Sequence, residues 1–204
     1  MGSRTHRHPR CESCFLHIEY CMCAEFRTLE TRTKLALIWH RDEQRKSTNT
    51  GRLALRTLSN AEAYVRGLKD APADLTPLTS PERRLLVLFP DDDARPLTSS
   101  LVQESDLPIT LAVPDATWRQ ARNMVRREPI LAGATKVIPP PGPRSRYRLR
   151  FARDPDHLST AEAIARAFGV IEGLHAQDEI ERIFGIMVER TLEMRQPSPM
   201  TSKD

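Results

Sequence analysis

The sequence has few glycines and no long apolar segment. Its longest apolar runs, residues 35–39 and 85–89, are five residues each, whereas a membrane-spanning helix needs about 20. The N-terminal residues lack the apolar stretch of a signal peptide, so we expect a cytoplasmic protein that contacts no membrane. Only 8 of the 204 residues are glycine, and neither a G-x-G-x-x-G sequence nor a P-loop occurs. Their absence argues against an ordinary dinucleotide or nucleoside triphosphate site.

The size and composition indicate one globular domain with a small appendage. The chain weighs 23.2 kDa, and hydrophobic residues make up 39% of it, which is enough to form a core. We expect an N-terminal cysteine-containing unit over residues 1–28, a main domain over 29–196 and a flexible tail over 197–204. Nothing in the sequence indicates an obligate protein partner.

Lysine is scarce, and arginine supplies 26 of the 31 basic residues. Residues 115–153 hold nine arginines and one lysine against two acids. The planar guanidinium group suits phosphate better than an ammonium group does, so a polyanion such as nucleic acid is a candidate partner. Arg119, Arg122 and Arg126 repeat along one face of a predicted helix as a phosphate-binding stripe. The alternative is that arginine-rich codon usage has produced ordinary solvated faces.

All four cysteines lie close together, in the spacing Cys11-x2-Cys14-x6-Cys21-x-Cys23. Disulfides are rare in the cytosol, and four clustered thiols are typical of a tetrahedral zinc site. A closed shell of four thiolates leaves no open position for a substrate, so the predicted zinc ion is structural.

Apolar segments alternate with helical patterns along the main domain. We predict strands over residues 34–39, 85–89, 109–113 and 135–138. Helices are expected from residue 49 or 50 to 58, and over 116–127, 159–173 and 177–195. Apolar strands separated by helices favour an α/β fold with a mainly parallel sheet and helices on both faces.

Polar residues follow three of the predicted strands, beginning at His40, at Pro90 and at Pro114. Ligands of open α/β sheets bind at the carboxyl ends of strands, so these loops are expected to converge on one site.

Three residue patterns near the predicted site each have a purely structural interpretation, and two of them also have a functional one. Asp115 could cap the following helix or could act as a base or polar ligand contact. Trp118 could pack in the core with Ala121 and Val125, or could form a stacking platform. The segment 159–162, Ser-Thr-Ala-Glu, fits a capping box, which alone would explain its composition.

Six motifs in order, spanning residues 11 to about 175, together resemble the DTW-domain family. They are Cys11-x2-Cys14-x6-Cys21-x-Cys23, His40-Arg41-x-Glu43, Thr48-Asn49-Thr50-Gly51-Arg52-Leu53-Ala54, Leu88-Phe89-Pro90, Asp115-x-Thr117-Trp118 and Leu158-Ser159-Thr160-x-Glu162-Ala163. This is a family of tRNA-uridine aminocarboxypropyltransferases related to the knotted SPOUT RNA methyltransferases. The resemblance implies that residues 29–196 form a catalytic domain with a deep trefoil knot, an exception to the rule that chains avoid knots.

The resemblance also implies a reaction. The family moves the 3-amino-3-carboxypropyl group of S-adenosylmethionine to N3 of a tRNA uridine and releases 5′-methylthioadenosine. Asp115 would be the catalytic residue, taking the N3 proton or facing the cationic sulfur. The implied binding residues for S-adenosylmethionine are Asn49, Thr50, Phe89, Pro90, Pro114, Asp115, Thr117, Trp118, Ser159, Thr160 and Glu162.

On the same resemblance, tRNA would be held through its backbone by exposed arginines. These are Arg144, Arg146, Arg148 and Arg150, together with the stripe of Arg119, Arg122 and Arg126. Two alternatives remain: a SPOUT-type methyltransferase that uses the same co-substrate, and a zinc-bearing RNA-binding module without catalysis.

Overall fold

The computed structural model describes residues 9–44, 46–68, 73–149 and 157–195. Six strands form one sheet in the order β2-β1-β5-β3-β6-β4, and every neighbouring pair is parallel. The strands are β1 (Lys34–His40), β2 (Ala61–Arg66), β3 (Arg84–Leu88), β4 (Arg95–Pro96), β5 (Ile109–Asp115) and β6 (Thr135–Ile138). The predicted α/β class with a mainly parallel sheet is confirmed.

The four predicted strands are present, and the two that the sequence did not indicate lie at the edges of the sheet. β2 carries the exposed residues Glu62 and Ala63 among its six residues, so it lacks a continuous apolar run. β4 is only two residues long and includes Pro96. Edge strands are covered less completely than central ones, and their sequence signal is correspondingly weak.

Helices follow most of the strands. They are α1 (Gly51–Thr57), α2 (Ser99–Val102), α3 (Trp118–Arg127), α4 (Pro129–Gly133), α5 (Thr160–Ile171) and α6 (Leu174–Arg195). Each of the four predicted helices is present within a few residues of its expected bounds, whereas the short helices α2 and α4 were not anticipated. Within the described ranges, no helix has both the length and the apolarity that a membrane crossing requires.

The helices cover both faces of the sheet, as predicted. On β1, Leu35 and Leu37 belong to a buried cluster shared with α1, α5 and α6. Ala36 and Ile38 point the other way, into a cluster shared with α3 and α4. This alternation places two cores on one sheet and leaves the carboxyl ends of the strands as a common edge.

The cysteine-containing segment packs directly against the larger core. Leu16 and Met22 are fully buried in the cluster that includes α6. Arg190 on α6 donates a hydrogen bond to the backbone oxygen of Cys21. The tail after residue 195 and Arg150 lie outside the described residues.

Candidate active site and cysteine centre

A cavity of about 930 Å³ opens at the carboxyl ends of the strands. The loops that follow β1, β3 and β5 meet there with the start of α5, as the polar residues after those strands predicted. Ten of the residues proposed to bind S-adenosylmethionine line it: Asn49, Thr50, Phe89, Pro90, Pro114, Asp115, Thr117, Trp118, Ser159 and Thr160.

Asp115 lines this cavity and is 5% exposed. Its Oδ2 atom accepts hydrogen bonds from Trp39 Nε1 at 2.8 Å and from Asn49 Nδ2 at 2.5 Å. Its Oδ1 atom accepts from Thr160 Oγ1 at 2.7 Å. Burial raises the pKa of Asp115, the Asn49 and Thr160 donors oppose that rise, and the nearby charge of Glu43 adds to it.

The helix-capping interpretation of Asp115 is wrong. α3 begins at Trp118, and Thr117 is its N-cap residue. The Gln120 side chain accepts from the Thr117 backbone N–H at 3.1 Å and from the Thr117 hydroxyl at 2.7 Å. Thr117 fills the capping position, and the Asp115 carboxylate instead accepts hydrogen bonds from side chains of other segments.

Asn49 and Gly51 bring α1 against the same carboxylate. Asn49 Oδ1 accepts from the backbone N–H of Arg52 at 3.1 Å, so this side chain caps α1 while its amide donates to Asp115. A Cβ atom on Gly51 would lie 2.7 Å from Asp115 Oδ2. The glycine is therefore needed for the close approach. Thr50 Oγ1 accepts from the backbone N–H of Ala161 at 3.2 Å and ties α1 to α5.

Trp118 lies at the mouth of the cavity and is 50% exposed. Its ring centroid is 6.0 Å from that of Phe89 and 5.2 Å from that of His157. The core interpretation of Trp118 is therefore wrong, although Ala121 and Val125 on the same helix are buried as expected. Trp118 is the first residue of α3, and a side chain at the end of a helix can lie beyond the core against which the rest of that helix face packs.

Glu162 is not among the described residues that line the cavity, although it bonds two that do, Ser145 and Ser159. Its carboxylate accepts from Ser145 Oγ at 2.7 Å, from the backbone N–H of Arg146 at 2.7 Å and from that of Ser159 at 2.8 Å. The capping box predicted for α5 is confirmed, because Ser159 Oγ accepts in return from the Glu162 N–H. The carboxylate also fastens the loop that contains residues 145 and 146 to the start of α5.

Several lining residues were not singled out as site residues from the sequence. Glu43 and Tyr147 line the cavity, and Trp39 contributes the indole donor to Asp115. Glu43 belongs to the motif His40-Arg41-x-Glu43, but the spacing of that motif did not indicate a role for the residue. Trp39 lies in the apolar run of β1, where no sequence signal separates a packing indole from a hydrogen-bonding one.

The cavity is acidic, whereas the surface around it carries many arginines. Within the described part of the chain, the lining includes two carboxylic acids, Glu43 and Asp115, and neither lysine nor arginine. The arginines proposed to contact RNA that fall in the described ranges are all exposed: Arg119, Arg122, Arg126, Arg144, Arg146 and Arg148. Arg146 forms an ion pair with Glu181 at 3.1 Å.

The four cysteine sulfurs form a compact group in which all lie within 4.8 Å of one another. The Cys11 and Cys23 sulfurs are 3.6 Å apart, and those of Cys14 and Cys21 are 3.9 Å apart. A disulfide needs about 2.05 Å, whereas four thiolates in a tetrahedron around zinc are about 3.8 Å apart when each Zn–S bond is ~2.3 Å. The residues present fit a four-cysteine zinc site.

The surroundings of the cysteines favour the thiolate at Cys11, whereas burial raises the pKa of Cys14 and of Cys23. Backbone N–H groups of Cys14 and Ser13 lower the pKa of Cys11 to about 6. Arg56 Nη1 donates to Cys23 Sγ at 3.5 Å, which opposes the rise in the Cys23 pKa caused by burial. Metal ligation requires deprotonated cysteines, so both effects suit a metal centre.

The cysteine centre and the cavity share α1. Phe15, which follows Cys14, has a φ of 64° and stacks against the Arg52 guanidinium at 4.2 Å. Arg52 is 6% exposed and donates from Nη2 to the backbone oxygen of Gln44 at 2.7 Å. The first turn of α1 therefore contacts the cysteine segment on one side and Asp115, through Asn49, on the other.

Comparison with known proteins places these features in a family. The model of the DTW domain matches residues 8–192. The chain is 25% identical over 171 residues to tRNA-uridine aminocarboxypropyltransferase 2 of Macaca fascicularis, covering 81% of this chain and 57% of that protein. It is 26% identical over 205 residues to tRNA-uridine aminocarboxypropyltransferase A of Arabidopsis thaliana, covering 87% of this chain and 77% of that protein.

Among solved structures, the SAM-dependent rRNA:acp-transferase Tsr3 from Vulcanisaeta distributa is similar with a TM-score of 0.47 and 16% sequence identity. The superposition covers 79% of this chain and 80% of that one. The family-model match extends over most of the sequence, from before the first cysteine to the last helix. The chain therefore belongs to the DTW domain family.

Proposed function

We propose that this protein transfers the 3-amino-3-carboxypropyl group of S-adenosylmethionine to N3 of a tRNA uridine and releases 5′-methylthioadenosine. The observation that carries the proposal is the charge of the cavity, which contains Glu43 and Asp115 and no basic lining residue in the described ranges. Such a cavity suits a co-substrate with a sulfonium and an ammonium group, and it is ill suited to a bound phosphate. The names of the relatives agree with this assignment.

The order of strands in the sheet suggests how the co-substrate lies. β1 and β5 end at the polar side of the cavity, where Asn49, Asp115 and Thr160 meet. β3 and β6 are followed directly by Phe89 and Pro139, which give the other side an apolar lining. The adenosine end would bind at the apolar side and the amino acid end at the polar side.

Orientation decides which carbon is transferred, because a sulfonium activates all three carbons attached to it. Uridine N3 forms a bond to the propyl carbon, the carbon–sulfur bond breaks, and its electron pair stays on sulfur. The N3 proton needs an acceptor, and the cavity carboxylate Asp115 is our candidate. Burial raises the pKa of Asp115 and makes it a stronger base than an exposed carboxylate.

The same carboxylate could instead lie beside the cationic sulfur. Its three donors, Trp39, Asn49 and Thr160, hold it in one orientation. A fixed carboxylate serves either role, because both need a negative charge at a defined position.

The cysteine centre has a separate task in this proposal. Cys11, Cys14, Cys21 and Cys23 would hold one structural zinc ion, which would stabilise the N-terminal segment against α6. The tRNA backbone would lie against the exposed arginines of α3 and of the loop that contains Arg144, Arg146 and Arg148. Arg150 belongs to the same proposed surface but lies outside the described residues. The trefoil knot and the cytoplasmic location remain predictions.

Mass spectrometry of nucleosides tests the proposal. Undermodified tRNA is incubated with the purified protein and S-adenosylmethionine, digested and analysed. Aminocarboxypropyluridine in the digest, together with free 5′-methylthioadenosine, supports the proposed transfer. A methylated base with S-adenosylhomocysteine would assign the protein to methyl transfer, and binding without any product would leave only an RNA-binding module.

A further inference from the structure

Glu43 is a buried carboxylate of the cavity that the reaction described above does not use. It ends the short 3₁₀ turn Arg41–Glu43 that follows β1, and it is 3% exposed. Glu43 lines the same cavity as Asp115, and its charge contributes to the raised pKa of Asp115. The two carboxylates are therefore close in space, at the polar side of the cavity.

The transferred group carries an ammonium that must leave water when the co-substrate binds. A buried ammonium needs an anionic or strongly polar partner, because desolvation otherwise opposes binding. Glu162, at the start of α5, is directed to Ser145 and Arg146 instead. Asp115 already accepts three hydrogen bonds and is assigned above to the N3 proton or the sulfur. Glu43 is the other carboxylic acid that lines the cavity within the described ranges.

We propose that Glu43 accepts the α-ammonium group of S-adenosylmethionine and thereby fixes the amino acid end of the co-substrate. The inference rests on the proposed function. With both the adenosine and the ammonium held, the propyl carbon faces the uridine and the methyl group is turned away. Glu43 is thus a residue that determines which of the three carbons is transferred.

The ion pair between Glu43 and Lys46 is compatible with this role. Lys46 Nζ lies 2.5 Å from Glu43 Oε1, and the Lys46 side chain is 40% exposed while that of Glu43 is 4% exposed. Lys46 therefore approaches from the solvent side.

Glu43→Gln tests the inference by calorimetric titration with three ligands. S-adenosylmethionine has the ammonium and the sulfonium, S-adenosylhomocysteine has the ammonium alone, and 5′-methylthioadenosine has neither. A charge-assisted hydrogen bond contributes enough that its loss should weaken binding about 10- to 100-fold. We expect that loss for the first two ligands and less than about a twofold change for 5′-methylthioadenosine.

Two further variants separate the carboxylate from its surroundings. Glu43→Asp keeps the charge and should recover part of the lost affinity for both amino acid ligands. Lys46→Gln removes the ion pair but keeps Glu43, and it should leave the ratio of S-adenosylhomocysteine to 5′-methylthioadenosine affinity unchanged. If Lys46→Gln reproduced the effect of Glu43→Gln, a structural role of the pair would replace the inference.

The results that would refute the inference differ from those that would refute the proposed function. If Glu43→Gln weakened the binding of all three ligands equally, or of none of them, the proposed role of Glu43 would be refuted. The proposed function would not be affected, provided that the wild-type protein binds S-adenosylmethionine. Weakening of S-adenosylmethionine alone would place Glu43 beside the sulfur and contradict the ammonium contact. Failure of the wild-type protein to bind any of the three ligands would refute the proposed function and the inference with it.

Discussion

Thr160 Oγ1 donates a hydrogen bond to Asp115 Oδ1 at 2.7 Å, which joins the first residue of α5 to the last residue of β5. Asn49 reaches the other oxygen of the same carboxylate from the residues before α1. Three segments that are far apart in the sequence are therefore held together by one buried charge. Replacing the carboxylate by an uncharged amide and removing the side-chain group altogether should therefore have different consequences.

Asp115→Asn should remove the charge while preserving the hydrogen-bond network. The amide oxygen can accept from Trp39 and Asn49, and the amide nitrogen can donate to Thr160, whose hydroxyl rotates to accept. We expect a folded protein that binds tRNA but transfers the group at least about a hundredfold more slowly, as is typical when a positioned base is lost. Single-turnover kinetics and thermal unfolding measure the two effects.

Asp115→Ala is the matched control, because it leaves the buried Trp39 and Asn49 donors without an acceptor and should lower stability as well. If Asp115→Asn weakens S-adenosylmethionine binding but leaves the saturated rate unchanged, Asp115 is a ligand of the co-substrate rather than the base. Normal rate and normal affinity together would refute both roles.

The pH dependence of transfer should reflect the buried position of Asp115. Burial raises the pKa of this carboxyl, and the ionised form is the active one in either role. Activity should therefore fall as the pH decreases, and the fall should begin above the ordinary range of an aspartate. The residual activity of Asp115→Asn should lack this acid limb. A wild-type rate that stays constant down to the ordinary aspartate pKa would contradict the assignment.

Gly51→Ala should disturb the site through a single methyl group. The added Cβ would lie 2.7 Å from Asp115 Oδ2 and 3.0 Å from Leu37 Cδ2, so α1 or the carboxylate must shift. We expect weaker S-adenosylmethionine binding and a lower melting temperature. Gly185→Ala in α6 is the control, since no atom of the described residues lies within 4 Å of its Cβ position and alanine favours helix. Normal binding by Gly51→Ala would show that the close approach is not required.

The cysteine centre should contain one zinc ion per chain. Elemental analysis of untagged protein checks the content, and chelator treatment should lower the melting temperature. Cys14→Ser replaces a buried ligand and should reduce both zinc content and stability. The transfer rate of this variant at saturating substrate should decrease only in proportion to the fraction of the protein that remains folded. Active protein without any metal would exclude the zinc site.

Neutralising exposed arginines should weaken tRNA binding in a salt-dependent way. Arg122→Gln combined with Arg126→Gln removes two charges from the outer face of α3. We expect lower tRNA affinity and a flatter dependence of affinity on salt concentration, because fewer counterions are released. The control pair, Arg27→Gln with Arg32→Gln, lies before β1 and is also exposed. Equal effects of both pairs would argue against a binding surface on α3.

Much of the fold could be predicted because its central strands are apolar runs that end at proline or polar residues. The edge strand β2 gave little signal, since residues such as Glu62 face solvent. The loops that follow β1, β3 and β5 line one cavity, as their polar residues predicted, because parallel strands share a carboxyl edge.

The roles within that site needed tertiary structure. Asp115 and Thr117 are both N-cap types two residues apart, and only the position of α3 shows that Thr117 is the cap. The indole of Trp39 donates a hydrogen bond to Asp115, which occupies the paired position on the neighbouring strand. No pattern in the local sequence reveals that these two residues are paired. Glu43 is 3% exposed and lines the cavity, and the polar residues around it in the sequence give no local signal of that burial.

The fate of the individual carbons of S-adenosylmethionine tests the central claim most directly. The wild-type protein is incubated with undermodified tRNA and with S-adenosylmethionine labelled in the methyl carbon in one sample and in the carboxyl carbon in another. The proposed transfer predicts that the carboxyl label enters tRNA uridine and that the methyl label leaves with 5′-methylthioadenosine. Methyl label in the tRNA, or neither label there, would contradict it.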